Sequence, residues 1–411
     1  MSLKRARQLG YKVEATEGTA ESMTAAEFAG VRHDVSFKLT QARIERKPMR
    51  GSLTPLKEIG DERSAEITFM EEIVGGGNDV SEAAPWHTPL LASGFARAAA
   101  ALKVLTIGSV TDGPYLTGQL VGNNASSGSA TKRGRVVEHY VAANKLVIEV
   151  ITGTWADADT VYNYATPQTS ATVSGAPVNG GHVFTPLTES ESAAPPSLTI
   201  DVRENGVSKV ATGCRGTGSL KLARGQIPMW EFTMSGCPAL DDPDAGDNGW
   251  PTAAKVTGIA AVGTAPSASK GSTIRLRNAA ADYSPVLTTL DLNLNNTVSP
   301  RPTINDNSSN DSGIISYRIT DREIQAAIDP ELPPKATADL TDWMMGVDLF
   351  EATVAFGNAA NANGRVVIYG PSVHLSGEES QSDRDGIDTR PIDVSFSGDT
   401  DDEIRIYHVF I

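Results

Sequence analysis

The sequence predicts an all-β protein made of two tandem β-sandwich or barrel folds, each flanked by a short helix, with a small β-domain inserted in the first. Three observations support this. Residue usage is that of short strands joined by many turns: 38 glycines and 23 prolines among 411 residues, with only 6% aromatic and 21% charged residues. Apolar and polar residues alternate with the period of a half-buried strand in many short segments. The same order of elements also occurs twice, on either side of a stretch rich in Asp, Gly and Pro.

Along the chain, the alternating segments are DVSFKLTQARI (34–44), SAEITFMEEI (64–73), SLTIDVREN (197–205), MWEFTMS (229–235), TTLDLNLNN (288–296), ATVAFGN (352–358), GRVVIYG (364–370), IDVSFSG (392–398) and EIRIYHVFI (403–411). Helical pattern is confined to APWHTPLLASGFARAAAALKV (84–104) and KATADLTDWMMGVDLF (335–350), each between sets of strands. Residues 105–165 carry their own alternation and turn residues inside the first set, which predicts the insert. GCPALDDPDAGDNGWPTAAK (236–255) predicts a linker. Around it, both halves read as long-looped hairpin, short helix, hairpin. EIT at Glu66 to Thr68 matches RIT at Arg318 to Thr320, and Gly94 matches Gly346 at the same spacing. Farther on, SLKL (219–222) matches SVHL (372–375), and WEFTMSG (230–236) matches IDVSFSG (392–398). A tandem duplication is expected.

Composition narrows the function. With 50 acidic against 35 basic residues and a net charge of -15, the chain lacks the clustered Lys and Arg that a sequence-independent grip on nucleic acid needs. The basic start, MSLKRARQLGYKVEATEG, has no apolar core behind it, and no later stretch approaches the length of a membrane span. A soluble protein, not exported by a cleaved signal, is expected. Cys214 and Cys237 cannot form a disulfide framework and are expected as small buried hydrophobes, nearly opposite across a hairpin. The six histidines (His33, His87, His139, His182, His374 and His408) are scattered without zinc spacing and are expected at surface or strand positions. GGGND (75–79) lacks the Lys-Ser/Thr of a phosphate loop, and DDPDAGDNG (241–249) lacks the order of a calcium loop. No G-x-S-x-G occurs, Glu71 and Glu72 would point to opposite faces of a strand, and TKRGR (131–135) suits a solvated turn. Neither an enzyme nor a cofactor or metal is expected.

The ordered motifs ATEGTAES, VSFKLTQARIERKPMRGSLTPL, RSAEITFMEEI, APWHTPLLASGF, FTPLTES and ARGQIPMWEFTMSG resemble the major tail tube proteins of long-tailed bacteriophages. So do RITDREIQAAIDP, GRVVIYGPSVHLSG and DGIDTRPIDVSFSGDTDDEIRI in the second half; the resemblance covers residues 11–104 and 182–411. It implies β-sandwiches that join into rings by sheet-to-sheet pairing, the rings stacking into a hollow tube that conducts the genome. Residues 1–104 and 182–237 would form the first tube fold, 105–181 an inserted domain on the outer wall, 238–282 a linker and 283–411 the second tube fold. Two tube folds per chain imply three chains in a pseudo-sixfold ring. The long loop that carries Arg50, Leu53, Pro55, Leu56, Ile59 and Asp61 would reach an adjoining ring, where an edge unsafe in a monomer is covered. Implied partners are further copies of the chain, a tape measure protein, tail-end proteins, and double-stranded DNA passing without specific binding. The implied location is the virion tail, assembled in the host cytoplasm.

Alternation adds candidates for an acidic channel wall. Glu231 lies opposite the apolar face of Trp230, Phe232 and Met234, and Asp393 opposite that of Ile392, Val394 and Phe396. Glu66, Asp201 and Asp291 meet the same test. The competing expectation is an extracellular all-β carbohydrate-binding or adhesin protein, which would need an export signal and an exposed aromatic platform. Trp86, Trp230 and Trp343 instead sit in apolar contexts suited to a core.

Overall fold

The computed structural model describes residues 7–47, 49, 56–74, 83–188, 190, 194–240, 249–259, 271–278, 282–303, 313–346, 348–357, 365–377 and 382–411. The first half begins with β1 (Gln8–Val13), β2 (Arg32–Ile44), β3 (Ile59–Glu72) and α1 (His87–Ala92). Then β4 (Phe95–Thr106) leads into β5 (Leu120–Gly122), β6 (Arg133–Tyr140), β7 (Lys145–Thr152), β8 (Thr160–Asn163) and β9 (Ser170–Thr172), and β10 (Val178–Pro186) leads back. The half closes with β11 (Leu198–Glu204), β12 (Val207–Ala223) and β13 (Met229–Ala239). The second half contains β14 (Thr273–Arg277), β15 (Asp282–Tyr283), β16 (Thr289–Asn293), β17 (Asn296–Pro302), β18 (Ile314–Arg322), β19 (Gln325–Ile328) and α2 (Leu340–Met345). It ends with β20 (Leu349–Phe356), β21 (Arg365–Ser376), β22 (Ser382–Arg384), β23 (Ile387–Thr389), β24 (Ile392–Phe396) and β25 (Arg405–Val409).

Strands dominate, as expected, and each of the nine alternating segments contains one. The helices are shorter than the pattern predicts. In 84–104 only His87–Ala92 is helical: Gly94, at φ +88°, ends the helix, and the alanine-rich run after it is strand β4. Alanine favours helix, but β4 lies between β10 and β7 and takes ladder bonds from both, so tertiary pairing overrides propensity. In 335–350 the helix is confined to Leu340–Met345, capped by the Asp339 carboxylate accepting from the Asp342 N–H at 3.2 Å. The expected linker, 238–282, is not all linker. Its Thr273–Arg277 is β14, paired with β20, and Trp250 packs edge-on against Phe37 at 5.3 Å.

Strand pairing follows one order in both halves. In the first it runs β1–β11–β12–β13–β3–β2, all antiparallel. In the second it runs β14–β20–β21–β24–β19–β16, again all antiparallel. The halves meet edge to edge: Ser219–Ala223 of β12 pairs with β16, and Gly181–Phe184 of β10 pairs with β25.

β12 and β21 are long enough to serve two layers. Their C-terminal parts join an inner eight-stranded sheet, β2–β3–β13–β12–β16–β19–β24–β21, and their N-terminal parts join outer strands. One apolar core lies between the layers and spans both halves, with Trp86, Phe69, Phe232 and Trp230 at its centre. Each such side chain stabilises the fold by roughly 1.5–3 kcal/mol. A second core, including Tyr115, Val121, Val136, Ile148 and Trp155, belongs to residues 105–173.

Candidate assembly and channel surface

The inner sheet is apolar on the face toward the core and polar on the other, because its strands alternate strictly. One cross-strand row on the polar face reads His33, Met70, Glu231, Ser219, Asn293, Gln325, Ser395 and His374. The next reads Met229, Lys221, Asp291, Ala327, Asp393 and Ser376. Glu231 and Asp393 therefore share a face of one continuous sheet, one row apart. Asp291, Asp393 and Glu66 are exposed there and Glu231 is half-buried. Two of these carboxylates have cations beside them: Lys221 donates to Glu231, and Lys38 lies 3.7 Å from Glu66. Asp201 is elsewhere. It lies on β11, is 4% exposed, accepts from the Ser208 hydroxyl at 2.6 Å and is paired with Arg203 at 2.8 Å.

Of the expected loop residues, Arg50, Leu53 and Pro55 lie outside the described residues. Leu56 is half-buried, and Ile59 and Asp61 open β3 in exposed positions. The hairpin of β2 and β3 extends beyond the core as an arm carrying exposed Leu39, Ile44 and Ile59.

The second hairpin, β17 with β18, is held by the first half of its own chain. Arg215, 2% exposed, donates to the Tyr317 carbonyl at 2.5 Å. Glu17 sits between Arg215 and Arg318, at 2.6 and 3.3 Å, and Asn296 donates to the carbonyls of Ser93 and Gly216 at 2.7 and 3.0 Å.

The inserted strands also rest on the second half. Along β21, Val366 and Ile368 face the main core, while Val367 and Tyr369 face a separate cluster with Val137 and Val147 of the insert. The insert thus covers the side of the outer layer away from the polar inner face. Arg365 donates to Glu138 at 3.0 Å, and Arg405 and Tyr407 donate to Glu149 at 2.7 and 2.9 Å. Of the basic turn at 131–135, Lys132 pairs with Asp159 at 2.6 Å.

Three histidines expected apart come together. His87 of α1, His182 of β10 and His408 of β25 are all fully buried, with His87 Nε2 and His408 Nδ1 2.9 Å apart. Burial, then the neighbouring His408, His182 and Arg97, push the His87 pKa well below the ordinary histidine value. Nothing in their spacing signals this; only alternation within EIRIYHVFI placed His408 on a definite face. Glu71 is likewise buried, 3.3 Å from Arg32 and accepting from the Tyr11 hydroxyl at 2.6 Å, and burial raises its pKa. Both cysteines are buried and neither is in a disulfide, but a register shift places Thr212, not Cys214, opposite Cys237.

No group of histidine, cysteine and carboxylate side chains suited to a metal occurs among the described residues, and none of the five tryptophans is exposed. No helix among the described residues is long and apolar enough to cross a membrane. A continuous polar sheet face, sheet edges unpaired among the described residues and a projecting arm with exposed Leu39, Ile44 and Ile59 define a class: an all-β structural protein with surfaces for self-association. The chain belongs to the phage tail tube protein family, whose model, described as "Phage tail tube protein", matches residues 4–399. It is a component of the virion tail that assembles with itself into a tube. No curated protein matches the chain.

Proposed function

We propose that three copies of the chain close into a pseudo-sixfold ring, and that stacked rings form a conduit through which the genome is delivered. The observation behind this reading is the repeated strand order together with the β12–β16 joint. Two like units joined head-to-tail inside one chain form a heterologous interface, and repeating that interface between chains closes a ring if the rotation allows. The edges that would make the repeat are β2 of one chain and the far end of β21 in the next. The sequence matches SLKL with SVHL and WEFTMSG with IDVSFSG support a tandem duplication as the origin of the two units.

The polar face of the inner sheet would line the channel, with Asp291, Asp393, Glu231 and Glu66 on it. Lys221 and Lys38 moderate its charge, so the lining is mildly acidic, repelling DNA phosphates without a fixed partner for them. Asp201 takes no part. The insert would stand on the outer wall, since it packs on the side of the outer layer away from that face. A tape measure protein inside the tube and tail-end proteins at its tip are the further partners, with assembly in the host cytoplasm. Negative-stain microscopy of the purified chain tests the reading: rings or tubes are expected, and monomers at every concentration would refute it.

A further inference from the structure

We infer that the β2–β3 arm of one chain docks on the second half of the neighbouring chain in the same ring, in a groove between β14, β20 and a bend in β21. This deepens the ring reading above and rests on it.

The chain contains the joint once already. In the first half, the pairs Leu198 with Cys214 and Ile200 with Ala211 bracket a bulge at Thr212 and Gly213. The second hairpin lies over that bulge: Ser316 Cβ is 3.3 Å from where a Gly213 side chain would begin, and the Cys237 thiol donates to the Ile314 carbonyl at 3.2 Å. Ile319 fills the space beside Gly94, just after α1.

In the second half, Phe350 with Val373 and Ala352 with Gly370 bracket a bulge of the same kind, at Pro371 and Ser372. Over it lies an open groove of 390 Å³ lined by Arg277, Leu349, Glu351, Pro371 and Ser372. Leu349 is 59% exposed, and Met345, at the end of α2, is 68% exposed. The first half has its hairpin at this place; in the second, Leu349 stands exposed beside the Arg277–Glu351 ion pair.

The unplaced hairpin is the β2–β3 arm. Met70 lies opposite Glu231 and Ala327 opposite Asp393, so matching those two carboxylates makes Met70 and Ala327 counterparts, five residues out of step with the EIT–RIT match of the sequence. Counting outward by equal steps brings Ile59, paired with Ile44, into correspondence with Ser316, paired with Arg301. Ile59 and Ile44 are about half exposed, at 50% and 51%. A charged arm with exposed Leu39, Ile44 and Ile59, and a groove that sets exposed Leu349 beside the Arg277–Glu351 ion pair, each stand where the internal joint has its counterpart and so fit a second copy of this chain.

The test is a cross-link in assembled tubes. The full chain carrying Ile59→Cys and Ser372→Cys is assembled, checked for tubes by microscopy and treated with a short bismaleimide; native Cys214 and Cys237 are buried and leave the parent chain as a blank. Cross-linked species that stop at three chains are expected. A ladder running past three would place the arm on another ring and overturn the inference, as would tubes that do not cross-link. Absence of any assembly from the parent chain would instead refute the ring reading, and the inference with it.

Discussion

His87, His182 and His408 meet in the core, and complete burial of His87 beside the other two rings disfavours its charged form. Depression of the His87 pKa sets the sign of the pH effect. Stability is full above the unfolded value, near 6.5, and falls as the pH drops below it, because the unfolded chain takes up a proton that the folded chain refuses. For His87 the loss is at most about 1.4 kcal/mol per pH unit. Urea midpoints at pH 7.5 and 5.5 should therefore differ, and His87→Phe should narrow the gap. Equal gaps in both proteins would show that another group carries the dependence. On the polar face, changing Glu231 and Asp393 together to Lys should leave tube assembly intact while slowing genome ejection, with salt relieving the defect. Normal ejection at low ionic strength would remove both positions from the channel. Alternation alone was enough to assign these two residues to one face. It failed for Asp201, because β11 lies in the outer layer, where the side away from the main core is also covered.

At the scale of elements, ionic contacts differ in weight. Glu149 is 9% exposed and shared by Arg405, Tyr407 and Arg135. Glu149→Ala should cost about 3 kcal/mol, since it leaves largely buried partners unmatched. Lys38→Ala, breaking a pair whose side chains are 67% and 51% exposed, should cost under about 1 kcal/mol. Thermal melts that rank the two the other way would mean that β7 is only loosely held to β25. That residues 105–165 form strands of their own was legible from their alternation and turn residues. Their docking was not, because Glu138 and Glu149 find Arg365, Arg405 and Tyr407 more than two hundred residues away. The long helix expected at 84–104 failed for a related reason: local composition favours helix, but two distant strands claim the backbone of β4.

For the whole molecule, the all-β class and the twofold order of elements could be read from the sequence because both are matters of period and punctuation. The edge-to-edge joint between β12 and β16 could not, since pairing between strands so far apart leaves no local trace. On the ring reading proposed above, that joint makes one chain a model for its own assembly, with an edge at each end of the shared sheet to repeat it. A single ring released from the tube and weighed by native mass spectrometry tests this most directly. Two tube units per chain predict a mass of three chains, whereas a mass of six chains would contradict the claim that each chain supplies two of the six positions.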